Sequence, residues 1–184
     1  MVEVSSNEAG FSYRAATAAD VPELMAIMKA SISTLMNDFL TPEQVEASSE
    51  TMGLDTQLVE DGTYFVILEG DEIVGCGGWS YRATLYGNND TKGRDARLLD
   101  PAHDAARIRA MYTHPDHARR GIGRLIMELC EGKARENGFS RCELMATLAG
   151  EPLYRVCGYK AVEKEEAVAS NGVVVPLIKM EKSV

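Results

Sequence analysis

The sequence predicts an α/β fold, in a single domain over residues 1–184, and three features carry that prediction. The first is a run from Arg107 to Arg135 that reads as strand, proline stop, basic turn and amphipathic helix without a gap. The second is a hairpin pattern beginning at Tyr64. The third is a tail in which a strand, a short helix and two further strands follow one another to about Met180. A chain of 184 residues, 45% hydrophobic and 26% charged, is long enough to bury a sizeable core, and no second domain is needed.

In chain order, Phe11 to Ala15 reads as a first strand. Thr17, Asp20 and Pro22 then supply turn and helix-start chemistry ahead of Leu24, Met25, Ile27 and Met28, so a helix runs to about Ser33. Thr41-Pro-Glu-Gln has the spacing of a capping box with proline at the first helical position, which opens a second helix. Tyr64 to Leu68, a turn over 69–72 and a strand from Ile73 form a hairpin. Glycines at 75, 77 and 78 within the second strand mark a bulge or a close approach by backbone or ligand. The tryptophan that follows them, Trp79, reads as core first, and otherwise as the border of a cleft. Residues 85–104 show no sustained period and are rich in turn formers, which predicts a long connection covering part of a binding site.

The central strand alternates, placing Ile108, Ala110 and Tyr112 on one face and Arg107, Arg109 and Met111 on the other. Pro115 ends it, because proline has no N–H for the ladder. Past the turn, Ile122, Leu125, Ile126 and Leu129 recur at helical spacing, whereas Arg124, Glu128, Glu131 and Arg135 fall elsewhere on the wheel. A helix beginning near Gly121 leaves its first N–H groups unpaired, and Gly121 and Gly123 carry no Cβ to hold a ligand away. Arg119, Arg120 and Arg124 surround that point in a chain whose formal net charge is -9. The turn therefore suits a phosphate. Two other phosphate loops are excluded: a dinucleotide fingerprint needs a third glycine where Ile126 stands, and a P-loop needs a Gly-Lys-Ser/Thr that is missing.

Gly138 is placed to end the helix in the left-handed conformation, and Arg141 to Thr147 returns as a strand. Gly150 to Val156 is a short helix followed by a strand from Tyr159. Gly172 turns the chain into a last strand over 173–180, where Pro176 marks an edge or a bulge. The element order is β-α-α-β-β-β-α-β-α-β-β.

The basic turn resembles the coenzyme A-binding segment of the GNAT superfamily of N-acetyltransferases, commonly written Arg/Gln-x-x-Gly-x-Gly/Ala. Gly121 and Gly123 occupy its glycine positions and Ala118 its first. The stretch from Pro152 to Tyr159 resembles the family's helix ending in Leu-Gly-Phe, with Tyr154 at the place of its frequent catalytic tyrosine. The resemblance covers nearly the whole chain and is strongest over 106–160. It implies a mixed, mostly antiparallel central sheet with two diverging central strands, the gap between them admitting the pantetheine arm. It also implies acetyl-CoA as co-substrate, held by Met111, Tyr112, Thr113, Arg119, Arg120, Gly121, Ile122, Gly123 and Arg124. The acceptor is then the primary amine of a small molecule or peptide, with Met36, Phe39, Leu40, Trp79, Tyr81 and Glu143 as candidate contacts. A homodimer is a family-level expectation.

Acetyl transfer to an amine sets three requirements. A backbone N–H near Tyr112 or Thr113 can stabilise the oxyanion. The Tyr154 hydroxyl, ordinarily titrating at about 10, is suited to protonate a leaving thiolate; its other reading is a core aromatic. An amine with a pKa of about 10.4 is only about 0.04% neutral at pH 7, roughly 4.6 kcal/mol to be met by a base or by the acceptor's own chemistry. Many members of the family place a glutamate where this chain has Arg107. Glu143, Glu151 or a water chain stand as substitutes.

Composition narrows the field. A pI near 4.9 argues against a nucleic-acid surface, and no apolar run approaches the about 20 residues that span a bilayer. Cys76, Cys130, Cys142 and Cys157 are scattered without a Cys-x-x-Cys, and the start shows no leader pattern, so free thiols and a cytoplasmic location are expected. His114 and His117 straddle Pro115 without further ligands, and no metal is expected. Besides the transferase, a non-catalytic acyl-CoA sensor and a domain binding some other phosphate stay open.

Overall fold

A computed structural model describes residues 5–6 and 10–184. The remaining amino-terminal positions, where the sequence shows no leader pattern, lie outside the described residues. The strands are β1 (Ser5–Ser6), β2 (Ser12–Ala15), β3 (Tyr64–Glu69), β4 (Glu72–Ser80), β5 (Ala106–Thr113), β6 (Arg141–Thr147), β7 (Lys160–Val168) and β8 (Val174–Ser183). The helices are α1 (Val21–Leu35), α2 (Pro42–Ser48), α3 (Thr56–Glu60), α4 (Ile122–Glu136) and α5 (Glu151–Val156). The strands form one sheet ordered β1-β2-β3-β4-β5-β6-β8-β7, antiparallel throughout except where β5 meets β6. The expected order is observed, with the two-residue β1 and the one-turn α3 added to it.

Two apolar layers cover the sheet. On one face α4 packs Ile122, Ile126, Met127 and Cys130 against Phe65, Trp79, Ile108 and Leu144. On the other, α1 contributes Leu24, Ile27 and Met28 to a cluster with Leu58, Tyr64, Val66 and Tyr112. The helical spacing read for α4 holds for Ile122, Leu125 and Ile126, all buried. Glu131 departs from the reading: it is 6% exposed, turned inward and paired with Lys182 Nζ at 2.7 Å. Met25 departs the other way, 59% exposed beside the buried face of α1.

The start of α1 is fixed by a carboxylate. Asp20 Oδ2 accepts from the Thr17 N–H at 2.7 Å and its hydroxyl at 2.9 Å, and both Asp20 oxygens accept from Arg14 at 2.7 and 2.8 Å. The Arg14 guanidinium foremost, then the Thr17 donors, hold the carboxyl down at about 2 against its ordinary 3.8. A depressed carboxyl stabilises the fold above its unfolded pKa, and that contribution disappears as pH falls through the folded value. Asp20→Asn is therefore expected to lose roughly 2 kcal/mol at pH 7. In urea titrations the gap between variant and wild type should close between about pH 4 and pH 2. A gap that persists at pH 2 would remove the ion pair as its cause.

The glycines of β4 serve close approach. A Cβ at Gly75 would stand 2.5 Å from Ile122 Cγ2, and one at Gly77 2.6 Å from Ile126 Cγ2, so α4 lies directly on this strand. A Cβ at Gly78 would meet the Thr63 carbonyl oxygen at 2.5 Å, and backbone cannot step aside as a side chain can. Gly78→Ala should cost at least about 1–3 kcal/mol in urea denaturation, the range for overpacking, and more than Gly75→Ala.

β5 carries a bulge. Cys76 pairs with Tyr112 and Gly78 with Arg109, so Gly77 faces two residues, Ala110 and Met111. Ala110 sits at φ +50°, in the left-handed region. The extra residue resets the alternation. Ile108 therefore belongs to the α4 layer and Tyr112 to the α1 layer, which corrects the expectation that both share a face. Pro176 stands one position past the last β6–β8 pair, Thr147 with Leu177, where only β7 flanks β8. The strand is internal, but at this residue it is locally an edge, which is what a missing N–H tolerates.

Candidate active site

β5 and β6 are paired over two positions only, Ala106 with Cys142 and Arg107 with Glu143. Beyond these the strands separate, and the separation opens a cleft of about 980 Å³ lined on one side by Ile108 to Thr113 and on the other by Leu144, Met145 and Thr147. The backbone on the β5 side can be assigned. The His114 N–H donates to Val74 at 2.9 Å, so the antiparallel alternation turns the N–H and C=O of Tyr112 toward β4 as well. Peptide planarity then turns the Met111 C=O and the Thr113 N–H toward the gap. Of the two positions expected to supply an oxyanion donor, Thr113 faces the cleft. The Tyr112 N–H does not, and its side chain leaves the gap too, its hydroxyl accepting from the Gly53 N–H at 2.8 Å.

At one end of the cleft lies the basic turn. Arg119 at φ +65° and Gly121 at φ +90° both adopt left-handed backbone, and Gly121 caps α4. A Cβ at Gly121 would meet nothing within 4 Å, so the space above it is open, whereas one at Gly123 would stand 2.6 Å from Leu153 Cδ2. The two glycines thus have different duties: Gly121 leaves room above the helix start, and Gly123 admits the side chain of α5. Arg119 and Arg124 are exposed and line the cleft with Ile122. Arg120 does not line it. Its guanidinium is engaged by Glu69 at 2.8 and 2.5 Å and lies 5.3 Å from the Phe11 ring centre. The expectation that all three arginines surround one point is corrected, because residue 120 follows a left-handed residue and points toward the β3–β4 turn. His117 joins this outer cluster, 3.1 Å from Glu69. Among the described residues no three His, Cys, Asp or Glu side chains are grouped to hold a metal.

Tyr154, on α5, lines the cleft. Its ring meets Tyr159 edge to face with centres 6.3 Å apart, and the Cβ-free Gly150 accommodates its edge, since a Cβ there would be 2.8 Å from Tyr154 Cε2. Burial raises the phenol's pKa above the ordinary 10. A raised phenol stays protonated through the neutral range, as a proton donor must.

The other side chains expected at the acceptor are divided. Trp79 is 3% exposed and packs against Tyr81 and Phe139 at 5.8 and 6.1 Å. Neither it nor Tyr81 lines the cleft, because α4 covers that face of β4. Glu143 is held by Arg107 and by Lys179 at 3.2 Å, and Glu151 by Arg155 at 2.8 Å. Neither carboxylate reaches the cleft, and among the described residues lining it Asp38, at the exposed rim, is the one acid. Met36 and Phe39 line it, whereas Leu40 is core. The long connection contributes Leu85, Tyr86 and Gly87; most of its remainder is exposed, with Leu99 buried in the core.

A network that the sequence did not reveal holds this wall. Arg109, 3% exposed, donates to the carbonyls of Thr84 and Gly87 at 2.9 Å each and to Asp55 Oδ2 at 3.0 Å. Asp55 Oδ1 accepts from the Gln57 N–H at 3.1 Å and from Arg94. The N-cap position of Asp55 before Thr56 was a readable signal, but its partner 54 residues away was not.

The fold and the opened sheet define an acyltransferase-type architecture, and the comparisons agree. The model of the acetyltransferase (GNAT) family matches residues 30–159, and the chain belongs to that family. A GCN5-related N-acetyltransferase from Rhodopseudomonas palustris is similar over 100% of this chain and 98% of its own, with a TM-score of 0.70 and 20% identity. The PaiA N-acetyltransferase of Thermoplasma acidophilum, solved with coenzyme A, gives 0.63 at 12% identity over 95% and 99%. YncA of Salmonella typhimurium, solved with its cofactor acetyl-CoA, gives 0.62 at 18% identity over 97% and 94%. At these identities the likeness is one of fold. No curated protein matches the chain.

Proposed function

We propose that the chain is an N-acetyltransferase that moves an acetyl group from acetyl-CoA directly to the primary amine of a small molecule or peptide, both substrates being bound together. One observation carries the reading: a single cleft runs from the Gly121 turn, through the separation of β5 and β6 past Tyr154, to the wall formed by Thr51 to Gly53 and Leu85 to Gly87. A donor at one end and an acceptor at the other can meet within it without a covalent enzyme intermediate.

The residues present fit the coenzyme. Open space over Gly121, the unpaired N–H groups starting α4 and the exposed Arg119 and Arg124 suit a diphosphate. The Met111 C=O offers an acceptor to an amide-bearing arm. Bound there, acetyl-CoA supplies the activated acetyl group. Thr113 N–H is a donor for the carbonyl oxygen, and Tyr154 Oη keeps a proton for the departing sulfur. Among the described residues lining the cleft the one acid is Asp38, at its exposed rim, so the reading has the amine reach the site neutral or lose its proton to water. Four free thiols, Cys76, Cys130, Cys142 and Cys157, support a reducing, cytoplasmic setting. No helix among the described residues is long and apolar enough to cross a membrane.

A non-catalytic acyl-CoA sensor is favoured by one feature, the Arg107–Glu143 pair at the position where the resemblance places a glutamate base. Calorimetric titration with acetyl-CoA, followed by thiol release in the presence of phenethylamine, spermidine and a peptide with a free amino-terminal alanine, separates the readings. Binding with amine-dependent release supports the transferase. Binding without release supports the sensor, and no binding overturns both.

A further inference from the structure

From the buried network at its floor, we infer that Arg109 and Asp55 are positioning residues for the acceptor side of the cleft, acting on acceptor binding and not on coenzyme binding. The inference rests on the transferase reading for its kinetic test and on geometry alone for its structural one.

Arg109 stands at the β5 bulge, one residue before Ala110 and two before Met111, where the backbone turns toward the gap. Its guanidinium makes three hydrogen bonds at 2.9–3.0 Å, to the carbonyls of Thr84 and Gly87 and to Asp55. These acceptors lie on two separate segments. Thr84 and Gly87 bracket the part of the long connection that lines the cleft, and Asp55 ends the segment that carries Thr51, Met52 and Gly53.

The two segments are joined to each other as well. Asn88 Nδ2 donates to the Met52 carbonyl at 3.0 Å, and the Asn89 N–H donates to Leu54 at 3.2 Å. A second β5 side chain, Tyr112, reaches the same wall by accepting from Gly53. The acceptor wall is thus tied to the strand on which the Thr113 donor sits. No comparable bond from Arg109 or Asp55 reaches residues 119–124.

Geometry explains why these residue types stand here. A guanidinium is a planar fork that can serve two carbonyls and a carboxylate at once, whereas lysine offers a point charge on a flexible stem. Burying such a pair brings little net stability and is often matched by apolar residues of similar volume. Removing one partner leaves the other buried and uncompensated. The pair's distinctive contribution is therefore to fix where the 84–87 and 51–55 segments sit relative to β5.

The test uses Arg109→Lys and the double variant Arg109→Met with Asp55→Leu, which replaces the buried pair by apolar groups and leaves Arg94, the other partner of Asp55, with a guanidinium that is 28% exposed and open to water. Against phenethylamine, spermidine and the alanine peptide, both should raise the acceptor KM at least tenfold while the coenzyme Kd stays within twofold. A purely structural role would lower the active fraction and the melting temperature, leaving the acceptor KM of the folded protein unchanged. That result, or equal rises in KM and Kd, overturns the assignment. If wild type itself transfers to none of the amines, the transferase reading fails, and amide hydrogen exchange then decides the positioning role. Faster exchange at 51–55 and 85–87, with 121–124 unchanged, supports it; exchange unchanged at all these positions overturns it.

Discussion

Gly121→Asp should weaken coenzyme A binding about a hundredfold, roughly 2.8 kcal/mol, measured by calorimetric titration of the purified protein. Two effects add. Gly121 has φ +90°, a conformation in which any residue with a Cβ is strained. The new carboxylate would also stand where the proposed diphosphate meets the start of α4, so that the helix N-terminus is satisfied by the protein's own anion. Its Cβ meets no atom within 4 Å, which makes the substitution a probe of the ligand space and not of packing. Arg119→Glu should act in the same direction, because Arg119 lines the cleft.

Arg120→Glu supplies the control. It lies next to both residues in sequence, yet its partners are Glu69 and the Phe11 ring, so reversing its charge should leave coenzyme binding within about twofold. An exposed pair of this kind contributes about 0–1 kcal/mol to stability. If Arg120→Glu weakens binding as much as Gly121→Asp does, the loss reflects the general charge of the turn, and the assignment of the binding backbone to Gly121 is wrong.

How much of this was legible in the sequence differs by element. Apart from β1 and α3, which are too short to show a period, the strands and helices were readable because each carries its own period and punctuation: the Thr41 capping box, Pro115 after β5, Gly138 past α4. The bulge was not, since Ile108, Ala110 and Tyr112 satisfy perfect alternation on paper. Only the pairing with β4, whose three glycines let α4 and β3 come close, shows that one residue has been inserted. The same limit applies to side-chain direction in the turn. Arg119 and Arg120 are indistinguishable by composition, and a single left-handed residue sends one to the cleft and the other to Glu69. Trp79 read as core or as the border of a cleft because glycines precede it; Gly75 and Gly77 instead admit α4, which covers it. The Arg109–Asp55 bond joins elements that only the tertiary fold brings together, so no local signal could reveal it.

Tyr154→Phe is expected to lower kcat by about a hundredfold to ten-thousandfold, the span for losing a positioned general acid, while coenzyme affinity changes less than about twofold. The substitution removes one oxygen and keeps the ring that meets Tyr159, so folding should be little altered. The pH profile gives the sharper readout. The acid form of Tyr154 is present below its pKa and lost above it, and burial places that pKa above the ordinary 10. The wild-type rate should therefore show no falling limb from this group up to about pH 10. With Asp38 at the exposed rim as the one acid among the described residues lining the cleft, kcat/KM should rise across the same range as the free acceptor deprotonates. In Tyr154→Phe that rise should persist at a lower level, since it belongs to the acceptor, while the rate becomes limited by departure of an unprotonated thiolate. Thiols that leave well without a proton test this directly: acetyl donors with more acidic thiols should recover much of the lost rate in the variant and little in wild type. A variant with normal turnover, or one whose deficit is the same for every donor, would take the proton at the leaving sulfur away from Tyr154.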